Sequence, residues 1–158
     1  GYNLNMVKQT NMIRKAIKND LSRIAEIFAF NNRLNYLPIF KDKAYSFSKL
    51  QVVSIIDDYF SKPQILGNIY VYDDGLIKGF MLITDSEIRK FYVDSFFQNE
   101  GIGHEMMKYA KEQLSVNHLW VLEKNERAIA FYQSCGFKKN GQRKLEPLTA
   151  EYSIELVY

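Results

Sequence analysis

The sequence predicts a single α+β domain built on a mixed, mostly antiparallel sheet, and three observations carry that prediction. Asp73-Asp74-Gly75 separates two apolar runs, and an Asp-Gly pair in that position is a strong hairpin signal. A further extended stretch, Glu87 to Val93, leads through a glycine-bearing turn, Gln98 to Gly103, into a helix-like run and then a short apolar strand. The chain closes on Tyr152, Ile154, Leu156 and Tyr158 alternating with Ser153, Glu155 and Val157, the period of a half-buried strand.

Composition narrows the class. With 158 residues, 47% apolar and 25% charged, the chain suits one soluble globular domain with a substantial core. The net charge of +3 is scattered, too mild to argue for nucleic acid, and merely favours an anionic ligand. One cysteine excludes an internal disulfide, and no apolar run approaches the length of a membrane span, so a cytoplasmic location is expected. Two histidines and that cysteine lie far apart, which leaves no zinc site, and no metal is expected.

Residues 1–11 are polar and unpatterned and read as an N-terminal extension or expression remnant; the domain is taken as 12–158. Met12 to Ile17 is a short first strand. Asn19 or Asp20 can cap a helix carried by Leu21, Ile24, Ala25 and Phe28, which should stop before Pro38 because the residue preceding proline is pushed out of the helical region. A loop with Tyr36, Phe40, Tyr45 and Phe47 at hand leads to a second helix, from Ser46 or Ser48 through Leu50, Val53, Ile56 and Phe60. Ile69–Tyr72, Leu76–Thr84 and Glu87–Val93 form an antiparallel meander. The third helix runs to about Leu114, and Leu119 to Leu122 is a strand buried on both faces. Asn125 to Cys135 is the fourth helix, ended by Gly136 as a left-handed cap. Phe137–Gln142 and Tyr152–Tyr158 complete the order βααβββαβαββ. The alternating last strand offers an edge on which a homodimer could pair.

The turn before the third helix has the makings of an anion site. The first amides of a helix lack internal partners and sit at the positive end of its dipole, and two glycines let a ligand come close. A dinucleotide fold is a poor match, since a third glycine and an acidic ribose partner are missing and the preceding strand belongs to a meander. No Gly-Lys-Ser/Thr follows, which excludes a P-loop.

Two stretches, correctly spaced within that element order, resemble the GCN5-related N-acetyltransferase (GNAT) superfamily over nearly the whole of Met12 to Tyr158. Phe91-Tyr92-Val93-Asp94 followed by Gln98-x-x-Gly101-x-Gly103 is similar to the family's acyl-CoA signature. Asn125-x-x-Ala128-Ile129-x-Phe131-Tyr132-x-x-x-Gly136-Phe137 is similar to its later helix pattern. The resemblance implies an α/β/α sandwich, with a mixed, mostly antiparallel sheet of about seven strands and four helices.

It also implies acetyl-CoA, or a related acyl-CoA, as co-substrate and an amine as acceptor. The pyrophosphate would sit on the amides of Gln98, Asn99, Glu100, Gly101, Ile102, Gly103 and His104. The pantetheine arm would lie along Phe91, Tyr92 and Val93 like an added strand, with the Phe91 amide placed to hold the thioester oxygen. Asn125 would hydrogen-bond the ligand, while serving equally well as a helix cap. Tyr132 is the candidate acid for the departing thiolate, although its helix position would also suit packing. Glu87 is the candidate base for the acceptor ammonium, set against a solvated strand-end charge or ordered water in its place. Cys135, with no histidine nearby, reads as a small buried hydrophobe, so direct attack through a tetrahedral intermediate is expected rather than a covalent acyl-enzyme. The alternative is a module that binds or senses acyl-CoA without turnover.

Overall fold

The computed structural model describes residues 12–158, so the assignment of 1–11 as an extension lies outside the described residues. Seven strands form one sheet: β1 (Ile13–Lys15), β2 (Ile69–Asp73), β3 (Ile77–Thr84), β4 (Glu87–Val93), β5 (His118–Leu122), β6 (Lys138–Leu145) and β7 (Tyr152–Val157). Their spatial order is β1-β2-β3-β4-β5-β7-β6, antiparallel everywhere except between β4 and β5. The α+β class and element order agree with the sequence reading. The expected dimer edge does not: β7 is paired on both sides, to β5 and β6, because the chain returns to the middle after β6. Among the described residues the edge strands are β1 and β6.

Helix α1 (Leu21–Phe40) buries Leu21, Ile24, Ala25 and Phe28 at helical spacing. They meet Ile69, Val71, Phe80 and Leu82 on one face of the sheet. Asp20 does not cap this helix with its side chain. Its carboxylate instead accepts the Ile17 N–H at 2.8 Å and a two-pronged pair from Arg14, at 2.8 and 3.0 Å. On the opposite face, α2 (Ile102–Leu114) and α3 (Glu126–Ser134) supply Ile102, Met106, Ala110 and Ile129 to a second core with Met81, Ile88, Leu119 and Leu156. The sheet is therefore sandwiched between helical layers.

Two helix boundaries differ from expectation. Helix α1 continues through Pro38 to Phe40. A proline in the last turn forfeits a single backbone bond, and the helix ends where Lys41 turns left-handed (φ 57°) and donates to the Leu37 carbonyl. The second helix is broken into short turns, Tyr45–Lys49, Val52–Ile55, Ile56–Phe60 and Pro63–Leu66. Gln51 is extended at the first break. Arg33 of α1 satisfies the carbonyls exposed beside it, donating to Ser46 O at 2.8 Å and Leu50 O at 2.7 Å.

β4 is irregular in a way that shapes the site. Leu82 opposes Lys90 but Ile83 opposes Ile88, so Arg89 is an extra residue, a β-bulge. Beyond the bulge β4 leaves β5. Only Glu87↔His118 and Ile88↔Leu119 are paired, and the strands splay towards Val93.

Candidate active site

The splay opens two cavities that meet. One, about 380 Å³, lies over the glycine turn and is lined by Val93, Gln98, Asn99, Gly101 to His104, Arg127 and Phe131, among others. The other, about 850 Å³, runs between α1, the splayed strands and the β6–β7 loop. Asn35, Phe91, Asn125, Ala128 and Tyr132 line both. A ligand reaching from the turn into the larger space must pass these five residues.

The turn is built for close approach. Asn99 (φ 65°) and Gly101 (φ 83°) are left-handed, which turns the chain sharply into α2. The two glycines do different work. A Cβ at Gly101 would meet nothing, so its requirement is conformational; a Cβ at Gly103 would come within 3.1 Å of the Phe131 ring. Gln98 is clamped at both ends of its amide: Nε2 donates to Val93 O at 3.3 Å, and Oε1 accepts from Arg127 Nη2 at 2.9 Å. The site thus combines helix-terminal amides with a guanidinium, a donor set fitted to phosphate. His104 packs edge-on against Phe131, with centroids 5.1 Å apart.

Asn125 caps α3, its Oδ1 accepting the Ala128 N–H at 3.3 Å, while also facing both cavities. Tyr132 is 9% exposed and wedged among Phe91, Phe131 and Phe137, with ring centroids 5.5 to 6.1 Å away. Burial pushes its phenol well above the ordinary value, so it stays protonated. Among the described residues its hydroxyl has no hydrogen-bond partner, and the residue lines both cavities.

Across the larger cavity, the Tyr36 and Tyr92 hydroxyls lie 3.5 Å apart, linking α1 to β4. Burial raises both phenols. Lys90, one step along, places its ammonium 4.8 Å from the Phe28 centroid and 5.2 Å from that of Tyr59. Burial lowers it to about 8, with Arg89 adding repulsion. Glu146 and Glu151 approach from the β6–β7 loop.

Most of the residues read from sequence gather here. Phe91, Val93, Gln98, Asn99, Gly101, Ile102, Gly103, His104, Asn125 and Tyr132 line the smaller cavity, and Tyr92 lines only the larger. Glu100 is exposed and lines neither. Glu87 is not brought to the site. It pairs with Thr84 and His118 at the closed end of the β4–β5 fork, where the strands have not yet parted. Of the four aromatics noted around the loop after the first helix, Tyr36, Phe40 and Tyr45 line the cavity, but Phe47 is 56% exposed and stacks under Arg33 instead. Asn35, Arg127, Lys90 and Glu146 were missed. Arg127 had a local signal, a cation two residues beyond the capping Asn125; the others depend on packing between distant elements. Among the described residues no acid, His or Cys cluster could hold a metal ion, and no helix is long and apolar enough to cross a membrane.

This fold and site define an acyltransferase class, and comparison with known proteins agrees. Residues 66–139 match the family model described as an acetyltransferase (GNAT) domain. The peptidyl-lysine N-acetyltransferase YjaB of Salmonella typhimurium is 25% identical over 111 residues, 70% of this chain and 75% of that protein. The solution structure of apo YjaB from Escherichia coli superposes with a TM-score of 0.72 at 20% identity, covering 92% of this chain and 95% of that one. The PaiA N-acetyltransferase of Thermoplasma acidophilum, solved with coenzyme A, gives 0.65 at 18% identity, covering 92% and 98%. The chain is thus similar to GNAT acetyltransferases, in sequence over a little under half of its length and in fold over nearly all of it.

Proposed function

We propose that the protein moves the acetyl group of acetyl-CoA to a primary amine, on a small molecule or a peptide, by direct attack. The observation that carries this is the junction of the two cavities on Tyr132, Phe91 and Asn125. A donor held over the glycine turn and an acceptor from the larger space can meet only there.

The donor's pyrophosphate is held by the amides at the start of α2 and by Arg127, with Gly103 leaving it room beside Phe131. β4 beyond Ile88 has no β5 partner, so its backbone is free to pair with the pantetheine arm, and the Phe91 amide supports the thioester oxygen as it gains charge. The amine forms the new N–C bond, the C–S bond breaks, and Tyr132 gives its proton to the leaving sulfur. Glu87 lines neither cavity, and this reading does not use it as the base. The ammonium proton passes to water in the cavity, with Glu146 as its nearby carboxylate. YjaB carries the name peptidyl-lysine N-acetyltransferase, which makes a lysine side chain one acceptor to test.

Tyr132→Phe keeps the packing and removes the proton. It should lower kcat by about a hundredfold or more while acetyl-CoA binding by calorimetry is retained. Unchanged kcat would remove Tyr132 from the chemistry. Acetyl-CoA binding with no thiol release for any amine would favour a sensing module instead.

A further inference from the structure

Lys90 and Arg89 stand side by side on the wall of the larger cavity, and among the described residues neither makes a salt bridge or a side-chain hydrogen bond. Lys90 is drawn off the surface onto the faces of Phe28 and Tyr59, at 4.8 and 5.2 Å. Aromatic faces offset only part of the cost of desolvating an ammonium, and a buried cation normally has an anion. In the same cavity Asn32, 4% exposed, has a buried Oδ1 with no donor among the described residues. Lys90 without an anion, beside the exposed Arg89, and an acceptor without a donor are two independent gaps, and both open on one space.

The carboxylates of this cavity sit elsewhere on its wall. Glu151 is paired with Lys124 at 3.0 Å, Asp42 takes the Tyr45 N–H at 2.9 Å, and Glu146 takes the Ser153 hydroxyl. None of them neutralises Lys90 or Arg89. The cavity is therefore divided, with cations on the β4 bulge and carboxylates on the β6–β7 loop and after α1.

We propose that the bulge is an anion subsite, and that the acceptor is a small amine that also carries a carboxylate, bound by Lys90 and Arg89. This rests on the acetyl-transfer reading given above. The acceptor's carboxylate pairs with Lys90 and the Arg89 guanidinium, and its N–H groups turn towards Glu146, with Asn32 Oδ1 taking an N–H directly or through water. A divided wall suits a zwitterion better than a bare amine. It also suits it better than a lysine side chain on a peptide, which brings no carboxylate at fixed reach.

Matched pairs test this: amino acids of increasing amine-to-carboxylate separation, each against its carboxamide and its decarboxylated amine, with a lysine-containing peptide alongside. Thiol release should favour at least one amino acid over both counterparts by about tenfold or more in kcat/KM. Lys90→Met should bring that ratio to near one, with Arg89→Gln part of the way; acetyl-CoA calorimetry shows whether each variant is folded. A peptide or uncharged amine as the best acceptor would overturn the proposal. So would a preference that survives in Lys90→Met, or acetylation of Lys90 itself by mass spectrometry. If acetyl-CoA binds but no amine turns over, calorimetric titration of the same amino acids into the CoA-bound protein decides. Binding lost in Lys90→Met upholds the subsite while the transfer reading fails; no binding at all overturns both.

Discussion

Arg127 Nη2 donates to Gln98 Oε1 at 2.9 Å, fastening the first turn of α3 to the loop that opens α2. The two helices otherwise reach the donor cavity from different parts of the chain. Arg127 is exposed, so it gives little to stability and is free to move onto a phosphate. Arg127→Ala should raise the KM for acetyl-CoA several-fold with kcat nearly unchanged, and the effect should shrink at high salt. Steady-state kinetics at two ionic strengths would check it.

The two glycines of the turn should fail differently. Gly101→Ala places an ordinary residue at φ 83° with open space around it, so it should cost about 1 kcal/mol of stability by thermal unfolding. Gly103→Ala meets the Phe131 ring at 3.1 Å. Shifting that ring narrows the donor cavity, so acetyl-CoA affinity should fall more than the melting temperature does.

Lys90 makes stability depend on pH in an unusual direction. Its folded pKa, about 8, lies below the free value of 10.5. Below pH 8 both folded and unfolded chains carry the proton, and the burial cost is felt in full. Between pH 8 and 10.5 the unfolded chain binds more protons, so this group's contribution to stability rises with pH. Lys90→Met should therefore raise the melting temperature at pH 7, with the gain shrinking towards pH 10.

Asp20 behaves in the opposite sense. The bond from Arg14 holds its carboxyl below the usual 3.8, against the desolvation that raises it. A depressed folded pKa contributes stability that is present above 3.8 and lost as pH falls through the folded value. The advantage of the native protein over Asp20→Asn should be constant from pH 7 to 5 and vanish in stronger acid, as read by denaturant midpoints.

What could be read from the residues was local. The Asp74-Gly75 hairpin, the Gln98–Gly103 turn, the Asn125 cap and the Gly136 cap (φ 96°) each follow from a few neighbouring side chains, and each is where the sequence put it. What escaped reading depends on distant partners. Nothing near Ser46 or Leu50 says that Arg33 will take their carbonyls and let the second helix break. Glu87 sits at a plausible distance along the chain from Gln98, yet strand pairing holds it at the closed end of the fork. The final strand alternates as an edge strand would, and only the return of the chain between β5 and β6 hides it.

The extra residue at Arg89 settles a question of parity. In a regular strand, residues an odd number apart face opposite sides, but Ile88 and Phe91 belong to the same core while Lys90 and Tyr92 face the other. Counting along β4 therefore changes from even to odd at that point. Side-chain identity at 89 matters little to this, and chain length matters a great deal. Deleting Arg89 would restore regular alternation with Ile88, Lys90, Phe91 and Tyr92 on the sides they now occupy, and would take away the bend that the bulge puts into β4 where it leaves β5.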